Sequence, residues 1–202
     1  MECLIEARKR LVFDEFFLFI MGMQYQKEKR TRQENRFVME HPEFVEDLIQ
    51  KLPYELTGAQ RRALHDVTEN MQGPYAMQRL IQGDVGSGKT ILAFLAMAWC
   101  AQNGYQSAIM APTEVLAQQH YETFQKLCEQ FGLHFPVILL TGSMTAKQKR
   151  SAYERLELYE NALIVGTHAL IQEKVAYHKL GFVVIDEQHR FGVKQRQALL
   201  QK

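Results

Sequence analysis

Eight consecutive residues, Gly83-Asp84-Val85-Gly86-Ser87-Gly88-Lys89-Thr90, have the types and spacing to hold a polyphosphate. They fit the phosphate-loop pattern G-x-x-x-x-G-K-[ST] without a gap. Glycines let successive backbone N–H groups turn toward phosphate oxygens with no side chain in the way. Lys89 supplies a mobile positive charge for the β- and γ-phosphates, and the Thr90 hydroxyl suits a bound Mg²⁺. A second group lies further along. Phe182-Val183-Val184-Ile185 is a short apolar run that ends in Asp186-Glu187. An acid at such a strand end can help hold Mg²⁺ through its water shell, and its neighbour can orient or deprotonate an attacking water. On this reading catalysis falls to Glu187, Lys89 and Asp186, the metal to Thr90 and Asp186, and the nucleotide to Gly83 through Thr90. These are parts of a nucleotide-hydrolysing site.

Such parts work only if regular elements hold them together. From about residue 53 the chain alternates between short apolar runs and amphipathic stretches. Strands are expected at Gln78–Ile81, Ser107–Met110, Val137–Leu140, Ala162–Val165 and Phe182–Ile185. A helix leaves the phosphate loop over Ile91–Cys100 and would aim the positive end of its dipole at the phosphates. Another is expected over Glu114–Phe131. Asn103-Gly104 and Gly132 stand where helices end, and Thr145 where one begins. Apolar strands separated by helices indicate a parallel sheet covered on both faces, which binds ligands beyond the carboxyl ends of its strands. The expected architecture is an α/β lobe, residues 53–202, preceded by a helical segment, residues 1–52.

That first segment is dense in charge and aromatics. Leu11, Val12, Phe16, Phe19, Ile20 and Met23 give a wide apolar helical face, which needs a covering surface. The run from Gln26 to Arg32 reads as a solvated helix face. Nearly half of the 202 residues, 47%, are hydrophobic, enough for a substantial core. The formal net charge is +1, so nucleic-acid contact would rest on local patches rather than a global field. Three scattered cysteines, Cys3, Cys100 and Cys128, fit neither a disulfide framework nor a zinc site and suit a reducing cytoplasm. The longest apolar run, Phe16 to Met23, falls short of the roughly 20 residues a membrane span needs. His120, His134 and His178 lie apart from any ligand spacing and read as surface or core residues. Trp99 and the Met and Cys positions of the Ile91–Cys100 helix read as core.

Asp186-Glu187-Gln188-His189-Arg190-Phe191-Gly192-Val193, with the phosphate loop before it, resembles the RecG family of bacterial DNA helicases, in helicase superfamily two. The resemblance runs through Leu56-Thr57-Gly58-Ala59-Gln60, Ala111-Pro112-Thr113-Glu114-Val115-Leu116-Ala117, Thr141-Gly142-Ser143 and Val165-Gly166-Thr167-His168-Ala169-Leu170, over roughly residues 50 to 202. The motor of the transcription-repair coupling factor looks similar; Ser87 and the Gln188-His189 pair lean toward RecG. What the resemblance implies is a RecA-like P-loop lobe that uses ATP and Mg²⁺ on branched DNA in recombination and repair. Gln60 would then read the adenine edge, although Thr57-x-x-Gln60 is also a capping box. Pro112, Thr113, Glu114, Thr141, Gly142, Ser143, Gly166, Thr167 and His168 would be the loops touching DNA, while Gln188 and His189 couple nucleotide state to them. Taken singly, the Thr and Ser residues are ordinary helix caps.

The same resemblance implies partners. Such motors have a second lobe that supplies an arginine finger, and a wedge domain for branched DNA; no motif of either is found in the chain. A finger contributes about 10³ to 10⁵ in rate, so the chain alone is expected to bind nucleotide and turn it over slowly. The residues also leave open a non-helicase P-loop enzyme and a non-catalytic interaction module that retains a nucleotide site.

Overall fold

The computed structural model describes residues 2–29, 33–84, 86–200 and 202, with the side chains of residues 2–4 and 26–29 left aside. The charged run from Gln26 to Arg32 and the loop residue Val85 therefore lie outside the described side chains. The chain divides into two compact units, residues 1–34 and 35–202.

The first unit is one long helix, α1 (Glu2–Lys29). Its large apolar side chains, Phe13, Phe16, Phe17, Leu18, Phe19, Ile20, Met21 and Met23 among them, are exposed. They point to all sides of the helix rather than to the one face expected. Arg10 and Asp14, one turn apart, pair at 3.2 Å, and Phe13 stacks on Phe17 at 6.0 Å. Among the described residues no helix is long and apolar enough to cross a membrane.

The second unit is a four-stranded sheet between helices. In chain order it holds α2 (Glu43–Gln50), α3 (Gly58–Gln72), α4 (Lys89–Gln102), β1 (Gln106–Met110), α5 (Glu114–Phe131), β2 (Val137–Leu140), α6 (Ala146–Leu158), β3 (Leu163–Gly166), β4 (Leu180–Ile185) and α7 (Val193–Leu200). The strand order is β2-β3-β1-β4 and every pairing is parallel. Alternation of side chains splits the core in two. Ile109, Val137, Leu163 and Val165 face Phe94, Leu95, Trp99 and Phe124 of α4 and α5. Ala108, Met110, Ile138, Leu140 and Ile164 face Leu156 of α6 and Leu199 of α7 on the other side. Parallel strands buried on both faces read as continuous apolar runs, which is why four of them are visible in the sequence.

The local signals for helix ends hold. Thr57 and Thr145 each accept the backbone N–H three residues on, and Gln60 and Gln148 complete both capping boxes. Gly132 ends α5 with φ 68°, the left-handed conformation that glycine adopts without strain. The expected strand at Gln78–Ile81 is a correction. The segment carries no ladder, because a strand exists only through a neighbour and β4 pairs with β1 alone among the described residues. Met77 and Ile81 pack on the core while Leu80 stays exposed.

The strand–helix alternation begins at residue 53, whereas the compact unit begins at Asn35. Met39, Val45, Leu48 and Ile49 bury in the same cluster as α4. Polar bonds fasten this stretch. Glu40 O accepts from Trp99 Nε1 at 2.7 Å and from Asn103 Nδ2 at 3.1 Å, and Glu40 N donates to Asn103 Oδ1 at 2.7 Å. Asn103→Ala removes two of these and is expected to cost about 1–2 kcal/mol, the scale of a lost hydrogen bond with a stranded partner. The urea midpoint read by Trp99 fluorescence tests it, and an unchanged midpoint would show that the apolar contacts alone hold the segment.

Candidate nucleotide and DNA site

The register of the sheet brings the site together. Leu140, Gly166, Met110 and Ile185 stand level as the last residues of β2, β3, β1 and β4. The next residues along each strand are Thr141, Thr167, Ala111 and Asp186, so the motifs that follow these four strands emerge at one edge. Gly166 is required there, since a Cβ would strike the Leu140 carbonyl oxygen.

The phosphate loop leads into α4, whose first residues are Lys89 and Thr90. Gly86 and Gly88 adopt φ 81° and 79°, a conformation that strains any other residue. The Lys89 ammonium folds over the loop and donates to Gly83 O and Asp84 O at 2.7 Å each, and to Ser87 Oγ at 3.3 Å. A cation held inside a ring of glycine-rich backbone stands where it can meet an anion. Gln60 takes both roles open to an amide. Its Oε1 accepts from Thr57 N at 2.8 Å and its Nε2 donates to Ser87 O at 2.8 Å. It thus fastens the first turn of α3 to the phosphate loop, with one of its two amide N–H donors engaged on Ser87 O. Tyr54 lies at the same end, half exposed, beside a 470 Å³ cleft that Glu46, Pro53, Glu55 and Arg61 help to line.

Asp186 follows β4, and its N–H donates to Met110 O at 3.0 Å. Its Oδ2 lies 2.9 Å from Nε2 of His120, a residue only 8% exposed. The bond from His120 holds the Asp186 carboxyl below the usual carboxylate range against the opposing effect of burial, and the charge of Lys89 adds to it. Asp186 is therefore an anion at neutral pH. Glu187 has φ 46°, left-handed for a non-glycine residue, and its carboxylate is 3.9 Å from Arg190 Nε. Such backbone is held by its surroundings and collects at functional sites. Gln188 Oε1 accepts from an Arg196 guanidinium N–H at 3.0 Å, which ties this turn to α7, while His189 is exposed.

A second cluster forms beside the first. Glu114 Oε1 accepts from Ser143 N at 2.7 Å and lies against Gly142, with the His168 ring next to it. Hydrogen bonds from the Ser143 side chain and backbone lower the Glu114 carboxyl from its ordinary value. Thr113 caps α5 by accepting from Leu116 N at 3.2 Å, behind the half-buried Pro112. Lys149 Nζ donates to Gly142 O at 2.6 Å and so braces the same loop. Thr141 and Thr167 are 4% and 2% exposed, and the Thr167 hydroxyl is buried with no hydrogen-bond partner. The structure thus joins Thr113, Glu114, Gly142, Ser143 and His168 into one exposed rim.

His120 is the residue that sequence reasoning missed. It is buried, as one of its two readings had it, but paired with Asp186. The available signal was its place in the stripe Ala117, His120, Phe124, Cys128, Phe131, the buried face of α5. A polar ring in such a stripe needs a partner, and that partner lies 66 residues away. Trp99, Met97 and Cys100 are fully buried, as expected.

Residues 57–202 match the family model described as DEAD/DEAH box helicase. The chain is 46% identical to the ATP-dependent DNA helicase RecG of Aquifex aeolicus over 96% of its own length and 24% of that protein. It is 49% identical to the ATP-dependent DNA helicase RecG of Synechocystis over 97% of its length and 24% of that relative. Among solved structures, RecG bound to a three-way DNA junction aligns with a TM-score of 0.76 and 38% identity, over 94% of this chain and 26% of that one. The chain therefore spans about a quarter of the length of these relatives. The expected RecA-like lobe is borne out. A phosphate loop, an acid pair at a level strand edge and a matched family model agree, and the chain belongs to the DEAD/DEAH box helicase family, in its RecG-like branch.

Proposed function

We propose that the chain is the ATP-binding lobe of a DNA motor that remodels branched DNA, such as forks and four-way junctions, in recombination and repair in the cytoplasm. One observation supports the nucleotide part: the charge of Lys89 in the phosphate loop acts on the Asp186 carboxyl at the end of β4, and we read Lys89, Thr90, Asp186 and Glu187 as one site. In that site Lys89 neutralises the β- and γ-phosphates, and Glu187 orients or deprotonates the attacking water. Mg²⁺ fits the donors present. The Thr90 hydroxyl and the anionic Asp186 are hard oxygen ligands. Among the described residues no cluster of three or more His, Cys, Asp or Glu forms a closed metal cage. A cation here would complete its shell with water and phosphate oxygens, as Mg²⁺ does. When bound, it supplies charge neutralisation on the transferring phosphoryl group.

Branched DNA as the substrate is supported by the similarity to RecG, a relative whose structure was determined on a three-way junction. The rim offers small hydroxyls, on Thr113 and Ser143, of the kind a sequence-blind contact uses. Pro112, Thr113, Gly142, Ser143 and His168 are its outward parts; Glu114, already engaged with Ser143 and negatively charged, braces them. Gly166, Thr141 and Thr167 position the loops from beneath. Gln188 and His189 connect the acid pair to the rest of the motor. A second motor lobe and a wedge domain belong to the whole protein. The two described cysteines, Cys100 and Cys128, are buried and unpaired, in keeping with a reducing compartment.

Equilibrium binding of a fluorescent ATP analogue with Mg²⁺ tests the site. Lys89→Ala is expected to weaken binding about 10- to 100-fold, the worth of a charge-assisted hydrogen bond. Equal affinity in the variant would remove the phosphate-loop assignment. Hydrolysis supplies the second test. The chain by itself is expected to turn ATP over slowly and at the same rate with or without forked DNA, and Glu187→Gln to abolish that turnover while leaving binding in place. Stimulation by the fork that disappears in Glu187→Gln would instead mean that this lobe forms a complete site unaided.

A further inference from the structure

We infer that His120 is the positioning residue for Asp186: it pins Oδ2 so that Oδ1 is presented to the Mg²⁺ of a bound nucleotide. The inference rests on the nucleotide reading above and deepens it. His120 Nε2 and Asp186 Oδ2 are 2.9 Å apart, with the two side chains 10% and 29% exposed. The imidazole is wedged against the ring of Phe124, 6.1 Å between centroids, in the buried stripe of α5. A ring so packed has little freedom to rotate, so the carboxylate it holds has little freedom either. Asp186 is fixed from a second side by its own N–H on Met110 O, at 3.0 Å. Backbone and side chain are therefore both anchored, one to the sheet and one to α5.

Carboxylates that hold metals need this kind of support. Groups behind the ligands orient them, and losing one typically costs 10- to 100-fold in metal affinity or activity. Among the described residues His120 is the one side chain bonded to the Asp186 carboxylate, beside a backbone bond from Glu187. Without His120 the carboxylate would keep only the backbone bond from Glu187 and lose the one side chain that fixes its rotation.

The chemistry predicts which substitutions work. Nε2 is the far nitrogen of the ring. A glutamine amide reaches about that position, whereas an asparagine amide stops near the place of Nδ1 and falls short. The experiment measures binding of the fluorescent ATP analogue by the chain, in Mg²⁺ and in EDTA, for the wild type and for His120→Ala, His120→Asn and His120→Gln. Binding of Mn²⁺ in the presence of ATP, read by electron paramagnetic resonance, gives a second and activity-independent signal. The expected result is that EDTA affinity stays the same in all four proteins. The strengthening by Mg²⁺ should fall about 10- to 100-fold in Ala and Asn and return for the most part in Gln. A full Mg²⁺ effect in Ala would overturn the role, and so would a Gln variant as poor as Ala, since only a donor at Nε2 distinguishes them. Equal losses in EDTA and Mg²⁺ would assign His120 to packing instead and also overturn it. Should Ala fail to fold, the contrast between Gln and Asn decides alone. A wild type that binds nucleotide without any Mg²⁺ effect would overturn the proposed metal site itself, and this role with it.

Discussion

Everything the site does depends on the parallel register of the sheet. A strand slipped by one residue would turn its side chains to the opposite face. For β3 that would move Ile164 out of one core cluster and Leu163 and Val165 out of the other. The register is thus fixed by burial on two sides at once. Because the strands are level at Leu140, Gly166, Met110 and Ile185, their following residues come out level too. The apolar runs are not merely scaffolding. They determine, to the length of one residue, where Asp186 stands relative to the turns that follow β1, β2 and β3.

The same logic explains what could be read in advance. β1 to β4 are short and apolar because both faces are covered, and such runs are visible without knowledge of their neighbours. Helix ends were visible as well, since a capping box such as Thr145 and Gln148 is a contact between residues three apart. The phosphate loop and the acid pair are patterns whose chemistry depends on adjacent residues. Gln78–Ile81 failed for the complementary reason. Its composition suits a strand, but pairing is a property of two segments, and composition describes one. Glu114 carries a bond that its neighbours in the sequence do not announce, since it accepts from the N–H of Ser143, 29 residues further on. The opening of the compact unit at Asn35 depends on long-range bonds as well, above all those of Glu40 to Trp99 and Asn103.

Gln60 does more than complete its capping box. The capping box uses its oxygen, and its nitrogen remains for Ser87 O. A Cβ on Gly88 would strike that same Nε2, so the glycine is needed for the amide as much as for the turn. The loop conformation and the start of α3 are therefore one structure. A change at Gln60 acts on nucleotide through the phosphate loop, whether or not the amide ever meets the base.

Helix α5 makes the corresponding link on the other side of the site. Glu114 in its first turn holds Ser143 N at 2.7 Å, and His120, six residues or about 9 Å further along the axis, holds Asp186 at 2.9 Å. Hydrogen bonds of this length weaken steeply once stretched or bent. A helix is stiff over so short a span, so α5 cannot slide by an ångström without loosening one bond or the other. Its buried stripe, packed on Phe94 through Phe124 at 5.3 Å, opposes rotation in the same way. The turn that carries Gly142 and Ser143 and the acid at the end of β4 are therefore held at a fixed separation. A displacement of the rim must either be resisted by the core or be carried to Asp186.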